Sequence, residues 1–289
     1  MENKKVIGWF AAMLLGSATA LAGPLEDGSA ALERQDYAKA HRLLLPEARK
    51  GDVLAQYNVA YMYASGLGVE QNEAEAVKWY RSAAEQGDAR AQTNLGLMFV
   101  QGRGVEQDFQ EAMKWYLKAA EQGNALAQNN IGSLYLNGQG VARDDRKAVE
   151  WYRAAAEQDL AIAQNSLGGM YVRGWGVEKD VNEALRWLWK AARQDHVQAQ
   201  RNVYAIYLNE AQHGDAEAMH NVATLCLNGW GGGQNPDACL KWYESAAEKG
   251  MDASCVSLAQ AYEKGLFGIR PDRQKAQYWK SRIGRGGGP

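Results

Sequence analysis

Apolar and polar positions along the chain recur with a period of 36 residues. A repeat of this length predicts one supersecondary unit per period, which buries its apolar face only by stacking on its neighbours. Residues 25–52 carry a shortened version of the same pattern. The complete segments begin at Val53, Ala89, Ala125, Ala161, Ala216 and Asp252.

Each segment is predicted to form two helices. In the second segment, Leu95 and Phe99 lie four residues apart and share one face of a first helix. The turn Gly102–Gly104 ends that helix, and Asp108 stands where an N-cap opens the next one. The second helix carries a tryptophan that is predicted to point into the core. It recurs in phase as Trp79, Trp115, Trp151, Trp187, Trp242 and Trp279.

The full pattern reads A-x-x-x-L-G-x-x-Y-x-x-G-x-G-V-x-x-D-x-x-x-A-x-x-W-Y-x-x-A-A-E-Q-G, and residues 53–196 match it almost position for position. It resembles the Sel-one-like repeat family, a relative of the tetratricopeptide repeats. The expected fold is all-α, a right-handed α-solenoid of antiparallel helix pairs. Members are mostly adaptor scaffolds. Exported bacterial members are associated with host-protein binding, envelope polysaccharide assembly and neutralisation of toxic effectors, and Cys-rich members with β-lactam binding.

The pattern skips within residues 197–215. Val203 and Tyr207 are in phase with a first helix, but the turn and most of the following second helix are missing. Two arrangements fit the skip. Either two first-type helices are joined by a tight turn at residues 212–215, or one helix continues through Gly214, which glycine disfavours. We interpret the segment as a joint between two blocks of repeats.

The N-terminus has the layout of a secretory signal peptide, with Lys4 and Lys5 ahead of an apolar run and a small-residue pattern ending at Ala22. A membrane anchor is the alternative, but spanning a bilayer takes about 20 apolar residues. We therefore expect a mature chain without a membrane span, in the periplasm or secreted. The predicted division is 1–22 signal peptide, 23–52 partial repeat, 53–196 four regular repeats, 197–215 truncated repeat, 216–283 two C-terminal repeats with cysteines and 284–289 flexible tail.

The charge balance gives no reason to expect nucleic acid or an anionic membrane surface as a partner, because 32 basic residues face 34 acidic ones. The four histidines lack metal-ligand spacing, and no G-x-S-x-G nucleophile turn is present. The glycine pairs follow helices rather than strands, so they are interpreted as structural turns and not as phosphate loops. The sequence predicts no catalytic residue, no cofactor and no metal site.

Three cysteines lie in the last two segments. Cys226 stands at a first-helix aromatic position and Cys239 at a second-helix alanine position, and these two positions face each other within one helix pair. In an oxidising compartment this predicts a disulfide, and two buried small thiols are the alternative. Cys255 is then a free thiol. The Cys-rich branch of the family would carry a further cysteine where this chain has Ala247, which weakens any transfer of β-lactam binding.

Candidate partner-binding residues come from two rows. In related solenoids the first helices line the concave side, so first-helix positions that vary between repeats are expected to contact a partner. Tyrosine, amide and arginine side chains suit a peptide backbone or protein loop, and an ordinary solvated helix face is the alternative. Tryptophans between paired glycines either pack on a neighbour or anchor a partner. The predicted set is Tyr57, Tyr61, Thr93, Asn129, Asn165, Trp175, Arg201, His220 and Trp230.

Export, repeat architecture and the lack of a catalytic set together predict a non-enzymatic scaffold. Its expected partner is another protein, namely a toxin, an effector or an envelope component. Within that class the family resemblance favours a periplasmic immunity or adaptor protein that binds through the solenoid groove. The alternatives are a scaffold in envelope polysaccharide export and a β-lactam-binding or β-lactam-hydrolysing enzyme of the Cys-rich branch.

Overall fold

The computed structural model describes residues 23–231 and 235–285, and these residues form helices and turns without a β-strand. The predicted signal peptide, residues 1–22, and the tail residues 286–289 lie outside the described residues. The α-helices are α1 Pro24–Glu33, α2 Tyr37–Arg49, α3 Val53–Ser65, α4 Glu73–Glu85, α5 Ala89–Gln101, α6 Phe109–Glu121, α7 Ala125–Asn137, α8 Asp145–Ala156, α9 Ala161–Arg173, α10 Val181–Ala192, α11 Val197–Gln212, α12 Ala216–Leu227, α13 Pro236–Glu248, α14 Asp252–Lys264 and α15 Arg273–Arg282. A 3₁₀ turn, Leu266–Gly268, precedes α15.

Within each of the two compact units described next, consecutive helices pack against each other, which confirms the predicted α-solenoid of helix pairs. The chain divides into two compact units with their boundary between Gln107 and Asp108. The first unit holds α1 to α5, and its closest pairs are α1 with α2 and α3 with α4. The second unit holds α6 to α15, and its pairs are α7 with α8, α9 with α10, α12 with α13, and α14 with α15.

Asp or Asn side chains cap the N-termini of most of the helices, and glycines end the first helix of the regular pairs. Asp108 accepts hydrogen bonds from the backbone N–H groups of Gln110 and Glu111, as its predicted role as N-cap requires. Gly102 caps α5 in the left-handed conformation, with φ of 65°. The equivalent C-caps of α3, α7 and α9 are Gly66, Gly138 and Gly174.

The second glycine of each regular turn closes the contact to the preceding second helix. Gly104 has φ of 66°, and a Cβ atom there would overlap the backbone of Glu73, the first residue of α4. Only glycine permits this backbone conformation and this approach together. The same glycine seat, as we call it, recurs where Gly68 meets Tyr37, Gly140 meets Phe109 and Gly176 meets Asp145.

The most deeply buried aromatic of the second helix is the tyrosine that follows the tryptophan. Tyr116 is 1% exposed, whereas Trp151 is only half-buried. Trp115 is buried with the Lys118 ammonium 4.3 Å from its ring centroid, so a lysine covers its outer face. The in-phase tryptophans differ in depth, because Trp79 and Trp242 pack against the core while only half-buried, and Trp151 is half-buried as well.

Buried glutamines connect the helix pairs, a feature that the sequence interpretation missed. Gln164 in α9 donates its Nε2 to the carbonyl of Ala156 in α8, at 3.2 Å. Its Oε1 accepts from Nε2 of Gln194, which follows α10, at 3.0 Å. The Gln164 side chain thus hydrogen-bonds both to the second helix of the preceding repeat and to the residues that follow the second helix of its own repeat. We call this arrangement a glutamine clip. Equivalent first-helix residues are Gln56, Gln92, Gln128 and Gln200.

At the skip, α11 and α12 are separate helices joined by a turn, which is the first of the two arrangements considered. Gly214 in this turn has φ of 95°. α11 packs against both α10 and α12, and it runs for 16 residues because no Gly-x-Gly turn interrupts it. The joint therefore consists of one long first-type helix without its partner.

Cys226 in α12 and Cys239 in α13 form a disulfide, with their Cα atoms 5.6 Å apart. The predicted bond is therefore present, and the alternative of two buried thiols is not what the structure has. Cys255 is a free, buried thiol.

Candidate functional site

The first unit carries a cluster of tyrosines covered by an arginine. The ring centroids of Tyr57 and Tyr80 lie 5.9 Å apart, and the Arg90 guanidinium lies 4.4 Å from the Tyr57 centroid. Arg90 is held there by Asp88, with Nη2 to Oδ2 at 2.7 Å. Burial raises the pKa of Tyr57, and Arg90 opposes that shift only in part. Tyr61 on the same helix is 37% exposed, so it offers a free aromatic face.

Two residues of the predicted set are buried and leave no surface for a partner. Thr93 is 3% exposed, and its hydroxyl donates to the carbonyl of Ala89 in its own helix at 2.7 Å. Asn129 is 4% exposed, and its Nδ2 donates to Oδ1 of Asn130 at 3.4 Å. The expectation that these side chains line an accessible surface is corrected, because close packing encloses both positions.

In the second unit, the remaining first-helix residues differ in how free they are. Asn165 accepts at Oδ1 from Nδ2 of Asn202, at 2.8 Å, so two neighbouring first helices are bonded side chain to side chain. Arg201 beside it is exposed, and no described residue forms an ion pair with its guanidinium. Arg201 is thus available to a carboxylate from outside the chain.

His220 is engaged between helices. Its Nδ1 lies 2.8 Å from Oγ of Ser254, and its ring centroid lies 5.1 Å from that of Tyr243. Burial lowers the pKa of His220, and the nearby Glu217 carboxylate opposes that shift. A neutral, half-buried imidazole bonded to α14 contributes to packing and offers a partner only one edge.

The two turn tryptophans have different surroundings. Trp175 is 40% exposed, and the guanidinium carbons of Arg143 and Arg173 lie 5.4 Å and 5.1 Å from its ring centroid. Trp230 is half-buried and packs on Trp189, with centroids 4.9 Å apart. Trp175 therefore presents an aromatic face flanked by cations, whereas Trp230, which follows α12, packs on Trp189 of α10.

A cavity of about 360 Å³ lies at the joint, between α9, α10 and α11. Sequence interpretation did not find it, although the missing turn was the signal that could have located it. Its apolar surface comes from Val172, Val181, Leu188 and Ile206, and its polar edge from Arg173, Lys179, Asn202, Asn209 and Glu210. We call it the joint pocket.

The described residues contain no group of three or more His, Cys, Asp or Glu side chains placed to hold a metal ion. Burial raises the pKa of the Cys255 thiol, and Asp252 adds to that shift. A buried, protonated thiol is a poor nucleophile. Among the same residues, no helix has the length and apolar character that crossing a bilayer requires.

The chain is similar to solved structures over most of its length. It is 32% identical to a protective antigen with an SLR fold from uropathogenic Escherichia coli, with a TM-score of 0.63, and the match covers 92% of this chain and 61% of the antigen. The chain thus spans less than two thirds of that relative. It is also 32% identical to a Sel1 repeat protein from Oxalobacter formigenes, with a TM-score of 0.57 and coverage of 91% and 100%.

A weaker likeness, 19% identity and a TM-score of 0.44, relates 80% of the chain to 80% of an immunity protein from Pseudomonas aeruginosa. A comparison with curated proteins finds no match. The family model of the Sel1 repeat matches residues 53–88, 89–124, 125–160, 161–196, 216–251 and 252–281. The chain belongs to the Sel1 repeat family.

Proposed function

We propose that this chain is an exported, non-enzymatic scaffold that binds a protein partner along the groove its first helices are expected to line. Sel1 repeats mediate protein–protein interactions and are generally non-catalytic. The observation that carries the proposal is the set of exposed recognition side chains Tyr61, Trp175 and Arg201. Aromatic and arginine side chains supply much of the binding energy where proteins meet, and these three are not consumed by internal packing.

The disulfide supports export. Disulfides persist in oxidising compartments such as the periplasm, and reduced cytosolic conditions disfavour them. The Cys226–Cys239 bond therefore agrees with the signal-peptide pattern of residues 1–22. On these grounds we place the mature protein in the periplasm, or outside the cell.

Within the scaffold class we propose an immunity or adaptor role, in which the partner is a toxin, an effector or an envelope component. Family resemblance supports this choice. A scaffold for polysaccharide export would instead copurify with outer-membrane components, so fractionation separates the two roles. The β-lactam alternative gains no support from Cys255, which is buried and free.

The test starts with capture of partners from a periplasmic extract by the mature chain, followed by mass spectrometry and calorimetry with the purified partner. We expect Tyr61→Ala, Trp175→Ala and Arg201→Ala each to weaken binding, by about tenfold or more for a residue at the centre of the interface. Melting should stay unchanged for Arg201→Ala, whereas Tyr61→Ala and Trp175→Ala should lower it slightly because these rings are only 37% and 40% exposed. Leu126→Ala and Ile162→Ala are matched controls, since these exposed apolar residues lie outside the proposed set.

Unchanged affinity in all three variants would remove these three side chains from consideration. Loss of affinity with only one of them would assign the contact to that part of the chain. Hydrolysis of a chromogenic β-lactam by the purified chain would contradict the non-enzymatic proposal.

A further inference from the structure

The joint pocket exists because one glycine seat is missing. In the regular repeats, the first residue of each second helix is contacted by the second glycine of the Gly-x-Gly turn in the next repeat. Gly176, for example, contacts the backbone of Asp145, the first residue of α8. α10 begins at Val181, and the corresponding turn is absent because α11 continues as a helix through Asn209 and Glu210. The start of α10 therefore lines a cavity instead of a backbone contact.

The pocket is also left unfilled by the chain's own side chains. In the preceding repeat, the hydroxyl of Tyr152 lies 3.1 Å from Oγ of Ser133, and this pair occupies the equivalent position. At the joint, Leu188 replaces the tyrosine and Gly169 replaces the serine. Leu188 is itself fully buried, so the apolar surface that the pocket leaves accessible comes from Val172, Val181 and Ile206.

The charges around the pocket are divided between its walls. Lys179 and Arg173 lie on the side of α9 and the start of α10, and the N-terminus of α10 itself is capped by the Asp180 carboxylate. Arg173 is held by Nη1 donating to the carbonyl of Gly169 at 3.1 Å. Glu210 lies on the α11 wall, and no described residue forms an ion pair with Lys179 or Glu210. One wall therefore attracts a carboxylate, and the other accepts N–H groups.

We propose that the joint pocket binds an extended loop of a protein partner that inserts an apolar side chain beside an aspartate or glutamate. This inference rests on the proposed function, and it specifies which side chains of the partner would contact the joint pocket. The apolar side chain packs on Val181 and Ile206, the carboxylate pairs with Lys179, and Glu210 accepts a backbone N–H of the loop. A cavity of about 360 Å³ lies at the lower end of the range of ligand pockets and suits one large side chain.

Two capped peptides test the proposal, acetyl-Gly-Phe-Asp-Gly-amide and its matched control acetyl-Gly-Phe-Lys-Gly-amide. Binding is followed by NMR on the isotope-labelled mature chain, through the amide signals of Val181, Leu188 and Ala205. We expect the aspartate peptide to shift these signals saturably and the lysine peptide to bind at least about tenfold more weakly. Lys179→Glu should reverse that preference.

Gly169→Leu should abolish peptide binding by filling the pocket. A side chain at Gly169 meets only the flexible end of Arg173, and leucine favours helix over glycine, so melting should not fall. Ser166→Leu on the same helix lies outside the pocket and should leave binding unchanged. Absent shifts, equal binding of both peptides, or binding that survives Gly169→Leu would each overturn the proposal.

The outcomes separate this inference from the proposed function. If a captured partner binds through Tyr61, Trp175 or Arg201 while the aspartate peptide fails, the pocket inference is wrong and the scaffold stands. If the peptide binds as expected but none of those substitutions weakens any partner, the failure belongs to the proposed surface alone.

Discussion

The regular block, residues 53–196, and the C-terminal block, residues 216–283, build the same helix pairs with different links between them. In the regular block, glutamine clips bond each first helix to the helices around it, as Gln164 does with Ala156 and Gln194. In the C-terminal block the clip positions are occupied by Met219 and Cys255. A disulfide, Cys226–Cys239, joins the helices of one pair there instead.

The two blocks also differ in how closely the turn glycines approach neighbouring backbone. A Cβ on Gly140 would lie 2.7 Å from the Phe109 backbone, whereas a Cβ on Gly268 in the last turn meets nothing within 4 Å. The C-terminal turn is longer and includes Phe267, a non-glycine residue with φ of 59°. In the C-terminal block, a covalent link thus stands where backbone contacts and clips are lost.

The largest expected effect compares these two glycines. Gly140→Ala should destabilise the protein by about 3–5 kcal/mol, because it combines a left-handed backbone with overlap against Phe109. Gly268→Ala, with φ of 80° and open space, should cost only about 1–2 kcal/mol. Urea unfolding followed by circular dichroism measures both. Equal costs would mean that the seat contributes conformation only and no close packing.

Removal of the disulfide should have the next largest effect. Cys226→Ala combined with Cys239→Ala should destabilise the C-terminal block by about 2–3 kcal/mol, since the bond closes a short loop of sequence separation 13. Hydrogen exchange should show faster opening of α12 and α13. Protection of α7 to α9 should stay unchanged. Equal loss of protection in both blocks would show that the blocks unfold as one cooperative unit.

The glutamine clip can be tested against the position where it is naturally absent. Gln164→Leu should cost about 1–3 kcal/mol, because the carbonyl of Ala156 and the amide of Gln194 lose a buried partner. Met219→Leu, at the equivalent position in α12, should cost less than about 1.5 kcal/mol because it preserves volume and polarity. Thermal unfolding of both variants measures the difference. Similar costs would show that the clip is dispensable.

The sequence predicted helix pairing, capping and the disulfide because these follow from local spacing. Asp108 caps a helix wherever the pattern puts it, and Cys226 faces Cys239 because paired helices bring in-phase positions together. Trp79 and Trp151 are in phase with the buried Trp115 but only half-buried, so periodicity does not predict how deeply a residue is buried. Phase specifies a helix face, but the depth of burial depends on the covering side chains of other repeats.

The candidate site was less predictable for the same reason. Thr93 and Asn129 occupy surface-type positions in the pattern, yet packing encloses them. Trp175 and Trp230 look equivalent in sequence, but Trp230 packs on an aromatic neighbour, Trp189, whereas Trp175 lies between two arginines. The joint pocket depends on residues that are absent from a repeat, and periodicity alone does not show what space their absence leaves.

The smallest expected effect concerns non-uniformity inside the regular block. Asp195, just before the joint, occupies the closing position that is glycine in other repeats, for example Gly123. Its φ is 59°. Asp195→Gly should relieve this strain, but it also makes the unfolded chain more flexible, so the net gain should be about 0.5 kcal/mol. That gain corresponds to a rise in melting temperature of about 1–2 °C.

Asp159→Gly is the matched comparison, because Asp159 has nearly the same conformation, with φ of 60°, but also accepts from Nε2 of Gln164 at 3.2 Å. Losing that bond should cancel the gain, so Asp159→Gly should leave the melting temperature unchanged or lower it. If both substitutions stabilised equally, the Asp159 carboxylate would contribute nothing to the clip of Gln164. If neither substitution stabilised the protein, the positive φ of Asp159 and Asp195 would cost no free energy. Repeats that close with aspartate would then be as stable at this position as repeats that close with glycine.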